Sequence, residues 1–241
     1  MGDVSEETAL ARSEALLGAE ALARLSAARI VLVGVGGVGS WCAEALVRTG
    51  ARHLVLVDDD VVVASNLNRQ DEATQATLGR LKVEAMAERL QAIAPEVEIE
   101  ARQMRLGDDP VADEQLFSGS PVAAVVDAID SVGAKAALIL RTTQAGLPLV
   151  SSMGAAYRTD PTQVKCVRFD KVTGDGLARA LRARFKKEGH YPFPKFPCVI
   201  SSEPPRAPSE PGARGSLMTV TATFGLTLAA EVIKLVTRRD R

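Results

Sequence analysis

The sequence predicts an α/β fold: a Rossmann-like, mostly parallel sheet with helices on both faces, extended by C-terminal shorter, partly antiparallel strands and a closing helix. Three observations predict it. Ile30 to Val33 is an unalternating β-branched run, as expected of a strand buried on both faces of a parallel sheet. Gly34-x-Gly36-x-x-Gly39 follows at once, supplying a tight turn, a bare backbone that a phosphate can approach, and a helix N-terminus facing an anion. A second apolar run, His53 to Val57, ends in Asp58, about 20 residues past the loop, where a carboxylate can bind ribose hydroxyls. Strand, loop, helix, strand and acid in this order form a nucleotide cradle that suits NAD, FAD or ATP equally.

At 241 residues the chain is ample for a sizeable core. A net charge of −1 excludes a wholly basic nucleic-acid binder and leaves a local basic patch open. Cys42, Cys166 and Cys198 lie far apart with no CxxC, which argues against a disulfide framework or a structural zinc and for a reducing, cytoplasmic setting. Met1 to Ala28 lacks the hydrophobic core of a signal peptide. Leu217 to Val236 is the most apolar stretch, yet Glu231 and Lys234 interrupt it, so a buried helix is expected rather than a membrane span.

Ser13 to Leu25 is helical in composition, with Leu16, Leu17, Leu22 and Leu25 as an apolar stripe; Arg12, just before it, reads on its own as a solvated charge. Val38 to Val47 is the first core helix, where Trp41 and Cys42 serve packing. Asp59 to Gln70 gathers polar groups where a simple cradle would turn into a crossover helix. Asn66, Arg69 and Gln70 would lie over the phosphates, with Arg69 able to neutralise a triphosphate and Asn66 to orient it. Taken alone, an ordinary polar loop reads as well. Leu78 to Ile93 is amphipathic, with Leu81, Met86, Leu90 and Ile93 apolar and Glu84, Glu88 and Arg89 outward. Lys82 opens this helix against the preference of the dipole, so a nearby anion would explain its placement.

Val97 to Ala101 is the third strand, and Gly107 to Ser120 a polar linker with one short helical turn. Pro121 to Asp130 holds another buried strand ending in Asp127 and Asp130. Acids at the C-terminal end of a parallel strand face the ligand crevice, which makes both site candidates. Ser131 to Ala145 is a helix. Pro148 to Met153 is a strand, and Met153 to Ala156 are small enough for a substrate to lie against backbone. From Asp160 the strands shorten and alternate, Thr162 to Phe169 most clearly. Asp175 to Lys187 is a basic helix bearing Arg179, Arg182, Arg184, Lys186 and Lys187, continued by His190, Tyr191, Phe193 and Lys195. Such runs are commonly solvated faces. Here acids are nearly absent and Tyr191, Phe193 and Phe196 could stack on bases, so a phosphate-backbone contact is the functional alternative. Neither His190 nor His53 has a partner acid in view that would make it a base. Cys198 to Glu203 is a last short strand, Pro204 to Gly215 a Pro/Gly/Ser-rich crossover, and Met218 to Val236 the closing helix.

Gly34-x-Gly36-Gly37-x-Gly39, Asp58-x-Asp60, Ser65 to Gln70, Lys82 and Asp127-Ala128-Ile129-Asp130, in this order and spacing, resemble the ubiquitin-activating superfamily of ATP-dependent carboxylate-adenylating enzymes. The likeness runs through nearly the whole chain and is closest to the tRNA threonylcarbamoyladenosine dehydratases. It rests there on Gly36 to Trp41, Asn68-Arg69-Gln70, Asp127 to Ser131 with Lys135, Cys198 to Glu203, and Val220 to Gly225.

The resemblance implies that ATP is the nucleotide. Gly34, Gly36, Gly37 and Gly39 would hold its phosphates, Asp58 its ribose, and Asn66, Arg69 and Lys82 its triphosphate, with Asp60, Gln70 and Asp127 in the same binding set and Asp130 holding Mg²⁺. Arg69, Lys82 and Asp130 would carry the catalysis together with Arg12, which matches an arginine that reaches the nucleotide from the second subunit of a homodimer. The reaction implied is the cyclising dehydration of the threonylcarbamoyl group on adenosine 37 of tRNA, with Arg179, Arg182, Arg184, Lys186, Lys187 and Lys195 as candidate tRNA contacts. A cysteine-desulfurase-system protein is a candidate partner, and no membrane is involved. Residues 1–28 would be an N-terminal helical segment, 29–158 the ATP-binding core, and 159–241 a substrate-side extension on the same domain. The competing reading is an adenylyltransferase acting on the C-terminal glycine of a ubiquitin-like sulfur carrier, against which the missing CxxC pairs and the basic run weigh. A nicotinamide-dependent oxidoreductase or a non-catalytic nucleotide-binding module gives no reason for Arg69, Lys82 and Asp130 together. Cys198 matches a family position, but its apolar neighbours favour a packing or substrate-adjacent role over a covalent one.

Overall fold

The computed structural model describes residues 6–107, 109–207, 210 and 215–238. Much of the Pro204 to Gly215 crossover therefore lies outside the described residues, as do the first five and last three residues of the two flanking segments. The elements in chain order are α1 (Glu6–Leu17), α2 (Ala19–Ala27), β1 (Arg29–Val33), α3 (Gly39–Thr49), β2 (His53–Val57), α4 (Lys82–Ile93), β3 (Glu98–Arg102), α5 (Pro110–Gln115), β4 (Val122–Asp127), α6 (Val132–Gln144), β5 (Leu149–Ser152), β6 (Val164–Arg168), α7 (Gly176–Glu188), β7 (Pro197–Ser201) and α8 (Met218–Thr237). One seven-stranded sheet runs β3-β2-β1-β4-β5-β7-β6. Every pairing is parallel except β6 with β7, as the fold class requires.

Side chains alternate across a strand, and here the alternation divides the interior into two cores. Ile30, Leu32, Leu54, Leu56, Ala124 and Val126 face a layer made by α2, α3, α4 and α8. Val31, Val33, Val55, Val57 and Val125 face α6 and α7. Because both faces are covered, the central strands β1, β2, β4 and β5 show no polar alternation, whereas the edge strands β3 and β6 carry charged residues and are partly exposed.

The expected single helix from Ser13 to Leu25 is in fact two. Gly18 takes a left-handed φ of 84° between them, a conformation that costs glycine least. The break splits the leucine stripe, so that Leu22 and Leu25 are buried while Leu16 is 85% exposed. Arg89, expected to point outward, instead bridges Glu44 and Asp71 and ties α4 to α3.

Helix α8 is long and apolar enough, by length and composition, to cross a membrane. Its apolar side is occupied by protein: Val220, Phe224, Leu228 and Val232, spaced by four, are buried in the first core. It lies close against α3 because Gly225 has no side chain. A Cβ there would meet the Val38 carbonyl oxygen at 2.4 Å, Trp41 Cβ at 2.8 Å and the Cys42 nitrogen at 2.9 Å. Alanine ordinarily gains about 1 kcal/mol over glycine inside a helix, but backbone atoms cannot move aside cheaply and overpacking costs about 1–3 kcal/mol. Gly225→Ala should therefore lower the urea midpoint at an unchanged m-value, and a midpoint equal to or above the native one would contradict this packing account.

Candidate active site

The sheet order reverses between β1 and β4, and the loops leaving these two strands diverge there to open a cleft of about 530 Å³, the place where open α/β sheets bind ligands. The glycines of the first loop are needed for three different reasons. Gly34 has φ 94°, and a Cβ on it would meet Ala128 C and O at 2.8 Å. At Gly39 a Cβ would lie 1.8 Å from the Gly34 carbonyl oxygen, so the helix could not start so close to its strand. Gly36 meets nothing nearer than Gln70 Nε2 at 3.7 Å and leaves its backbone bare toward the cleft. Arg69 packs across Gly37, its Cγ 3.1 Å from where a Cβ would be.

Asp58 ends β2 beneath this loop. Its carboxylate accepts hydrogen bonds from Val35 N at 2.7 Å and Asp60 N at 2.9 Å. Burial pushes its carboxyl above the usual range, against the pull of the Lys82 ammonium and the two N–H groups. Lys82, only 5% exposed, opens α4 with its Nζ 2.7 Å from Asp60 Oδ2. The anion that its position called for is thus an aspartate in the same loop. Asn66 is buried and closes a 3₁₀ turn by accepting from Val63 N at 3.0 Å. The Arg69 guanidinium donates to Ser65 O and Asn68 Oδ1, both at 2.8 Å. Trp41 donates from Nε1 to the Arg69 carbonyl at 2.9 Å, so a residue assigned to packing also anchors the arginine. Gln70 lines the cleft with its Oε1 buried and unpaired among the described residues.

The two acids at the end of β4 have different fates. Asp130 is exposed on the cleft lip, whereas Asp127 does not reach the cleft at all. Its carboxylate is fully buried, 2.8 Å from Lys135 Nζ, and accepts from Ser151 Oγ at 2.6 Å and Ile129 N at 3.2 Å. The nucleotide contact expected of Asp127 is therefore corrected to a supporting role beneath the turn that carries Ala128, Ile129 and Asp130. Lys135 reinforces that turn by donating to the Ile129 carbonyl at 3.0 Å.

On the far wall, Gly154 donates to Asp175 Oδ2 at 3.0 Å while Asp175 Oδ1 caps α7 through Ala178 N at 2.8 Å. Arg158, buried, donates to the Gly154 and Glu203 carbonyls and pairs with Asp175 at 3.4 Å. Glu203 in turn accepts from Thr159 N and Asp160 N, both at 2.9 Å. The start of the basic helix and the cleft wall are consequently one unit, and Leu177 of that helix lines the cleft. Single-sequence reading had no signal for this network beyond the Cys198 to Glu203 run.

Not every charge on α7 is free. Arg182 is half-buried, donates to the Phe169 and Val172 carbonyls, and lies over the Phe169 ring at 5.2 Å, so it fastens the helix and is withdrawn as an RNA contact. Phe196 is also buried, stacked on Phe169 at 5.1 Å, and cannot stack on a base. Arg184 pairs with Glu188 and Lys195 with Asp170. Arg179, Lys186 and Lys187 are exposed and without ion pairs among the described residues. Arg12 is exposed on α1 and does not line the cleft of its own chain. Cys198 is buried, and burial pushes its thiol up, which suits packing and not nucleophilic attack. Asp58, Asp59 and Asp60 bring carboxylate oxygens within 4.8 Å of one another, but Asp58 is taken by backbone N–H groups and Asp60 by Lys82.

A glycine-rich loop at the switch point, faced by an arginine and a buried lysine and followed by a strand-end acid, defines a nucleotide-binding α/β protein equipped for a polyphosphate. Residues 10–241 match the ThiF family, and the chain belongs to it. It is 36% identical to the tRNA threonylcarbamoyladenosine dehydratase of Escherichia coli, over 91% of this chain and 90% of that protein. The Bacillus subtilis protein of the same name is 39% identical over 74% of this chain and 69% of its own length. The crystal structure of the E. coli dehydratase in complex with ATP superposes with a TM-score of 0.87 at 36% identity, covering 98% of this chain and 97% of that one.

Behind the glycine loop, Glu72 is buried with neither carboxylate oxygen paired among the described residues. Burial pushes its carboxyl up to about 7. The folded protein then keeps a proton that the unfolded chain releases above its ordinary value of 4.5, so this group makes stability fall as pH rises through that window. Neighbouring Asp71, also raised to about 7 by burial and by Glu44, acts in the same direction. Glu72→Gln should lose less stability than the native protein between pH 5 and pH 8, as read from urea midpoints at the two pH values. An identical loss in both proteins would refute the assignment.

Proposed function

We propose that this protein is an ATP-dependent tRNA threonylcarbamoyladenosine dehydratase, which cyclises the threonylcarbamoyl group on adenosine 37 after adenylating its carboxylate. The observation that carries the reading is the end-to-end likeness, at 36% identity, to a dehydratase whose structure holds ATP, together with Arg69, Lys82 and Asp130 around one cleft.

In this reading the bare backbone at Gly36 and Gly37 receives the phosphates and Asp58 orients the ribose. Arg69, Lys82 and Asn66 hold the triphosphate, with Gln70 donating from its Nε2 beside Gly36. The substrate carboxylate attacks the α-phosphorus and pyrophosphate departs, its charge spread over Arg69, Lys82 and the partner subunit's Arg12. A carbamoyl atom of the same substituent then closes a five-membered ring on the activated carbonyl and expels AMP, which carries away the carboxylate oxygen. Because that attack is intramolecular, positioning supplies most of the acceleration and no protein nucleophile is required. Asp130 offers an exposed carboxylate at the phosphate end of the cleft, the hard oxygen donor that Mg²⁺ prefers, and bound there the ion would supply further charge neutralisation. The tRNA would be held by Arg179, Lys186 and Lys187, with Arg184 and Lys195 as weaker candidates because each already has an acid partner. A tRNA substrate implies a cytoplasmic enzyme, and a cysteine-desulfurase-system protein stays a candidate partner.

Asp130→Ala should fold normally yet lose both ATP–pyrophosphate exchange and cyclised nucleoside in tRNA digests, by a hundredfold or more if several kcal/mol of charge stabilisation go with it. Near-native exchange by the folded variant would sink the assignment.

Homodimer action across the interface has its own test. Arg12→Ala and Lys82→Ala proteins should each be nearly inactive, but after subunit exchange about a quarter of all sites combine an intact Lys82 with an intact partner arginine. Failure to recover activity after verified exchange would exclude action in trans.

A further inference from the structure

We propose that Tyr191 and Phe193 form a stacking platform for unpaired RNA bases, held at a set distance from the reaction cleft by α7; the inference rests on the tRNA reading above. Among the exposed large hydrophobic side chains of the described residues these two are the only aromatic ones, 63% and 79% exposed, while Phe169, Phe185, Phe196 and Phe224 are buried. Their surroundings are positive. Between Gly176 and Lys195 the sole acid is Glu188, which pairs with Arg184, and Arg179, Lys186 and Lys187 are left without partners among the described residues. An aromatic pair set among unpaired cations matches the chemistry of single-stranded nucleic acid, whose bases stack on rings while its phosphates meet lysine and arginine. It suits duplex RNA poorly, since paired bases present no free face.

The platform stands on a rigid base. Phe196 stacks on Phe169, which meets the edge of Phe185 at 6.1 Å. Lys195 pairs with Asp170, and His190 N donates to the Phe185 carbonyl at 3.1 Å. The loop is thus pinned at both ends, and Pro192 and Pro194 restrict the backbone between them, leaving Tyr191 and Phe193 to project. At its other end α7 is bound to the cleft wall through Asp175, Gly154 and Arg158. From Leu177 at the cleft to Gly189 before the aromatics the helix spans about 18 Å, a separation of a few nucleotides. A target base in the cleft and its loop neighbours on the rings could be engaged together.

The test measures the affinity of unreacted tRNA across a salt series for four proteins. These are the native chain, Tyr191→Ala/Phe193→Ala, Tyr191→Phe/Phe193→Tyr, and Lys186→Ala/Lys187→Ala. Loss of both rings should weaken binding at least tenfold with the slope of log K against log salt unchanged, and the aromatic exchange should restore it. The lysine variant should instead flatten the slope by one to two. ATP affinity and sedimentation should be the same in all four. Native affinity in the double alanine variant, or a loss accompanied by altered sedimentation, would overturn the platform while leaving the tRNA reading intact; the second outcome would assign the rings to a contact between copies. If the native protein binds no tRNA, the functional reading fails and the platform with it.

Discussion

The ion pair between Lys135 and Asp127 is the constraint on which the cleft depends. Both side chains are fully buried and 2.8 Å apart at the end of β4. Taking two charges from water costs several kcal/mol each, and their attraction repays it only where the remaining hydrogen-bonding capacity is used. Here Ser151 Oγ, Ile129 N and Ile129 O use it. Apolar residues of similar volume could hold the layers together as well, so the pair is better understood as fixing the shape of a turn. That turn brings the Ala128 carbonyl to within 2.8 Å of where a Cβ on Gly34 would be. It also sets Asp130 at the lip. Turn and glycine loop therefore define each other's position, and the opening between them is the cleft.

The central strands were legible because β1, β2 and β4 each carry an apolar run with no polar alternation, as a sheet covered on both faces allows, and the edge strand β6 was legible from its alternation. The glycine loop was legible for a steric reason, since no other residue fits at Gly34 or Gly39. Roles within one residue type were harder to read. Asp127 ends a buried strand and Asp130 follows three residues later, and nothing in an aspartate says which of the two finds the lysine in the first turn of the following helix. Arg182 was separable in principle. Ala178, Leu181 and Phe185 mark the buried face of α7, and Arg182 lies four residues beyond the first and three before the last, on that face. Lys186, Lys187 and Arg179 lie off it. A glycine inside a leucine pattern is often tolerated within one helix, and only the left-handed φ of Gly18 reveals two.

Close to the glycine loop lies a second buried network with a different logic. Arg89 and Arg48 serve Glu44, while Asp71 shares Arg89 with it. Glu44 is held down to about 2 because, despite burial, Asp71, Arg48 and Arg89 all donate to it, and Asp71 is pushed up to about 7 by burial and by that same carboxylate. Two acids around one arginine divide a proton unequally, as like charges in a low dielectric must. The cluster fastens α3, α4 and the segment after Gln70, the three pieces that carry the glycine loop, Lys82 and Arg69.

The cations at the cleft differ from those elsewhere in how their charge is answered. Lys135 is cancelled by a carboxylate that water cannot reach, so its field is spent inside the protein. Arg69 is held by two neutral oxygens, Ser65 O and Asn68 Oδ1, which orient the guanidinium without neutralising it. Lys82 has a counter-ion in Asp60, whose side chain is 64% open to solvent, so the carboxylate stays hydrated while the ammonium is buried. A polyanion entering the cleft would find one cation without an acid partner and another paired with a largely exposed acid, so its own desolvation is offset without first breaking an ion pair buried on both sides. Asp58 faces the same space with its charge answered by two backbone N–H groups, which lets an acid stand beside a phosphate site without repelling the ligand at full strength. The proposed role of these residues in nucleotide binding is thus supported by how each charge is answered as much as by the identity of the side chain.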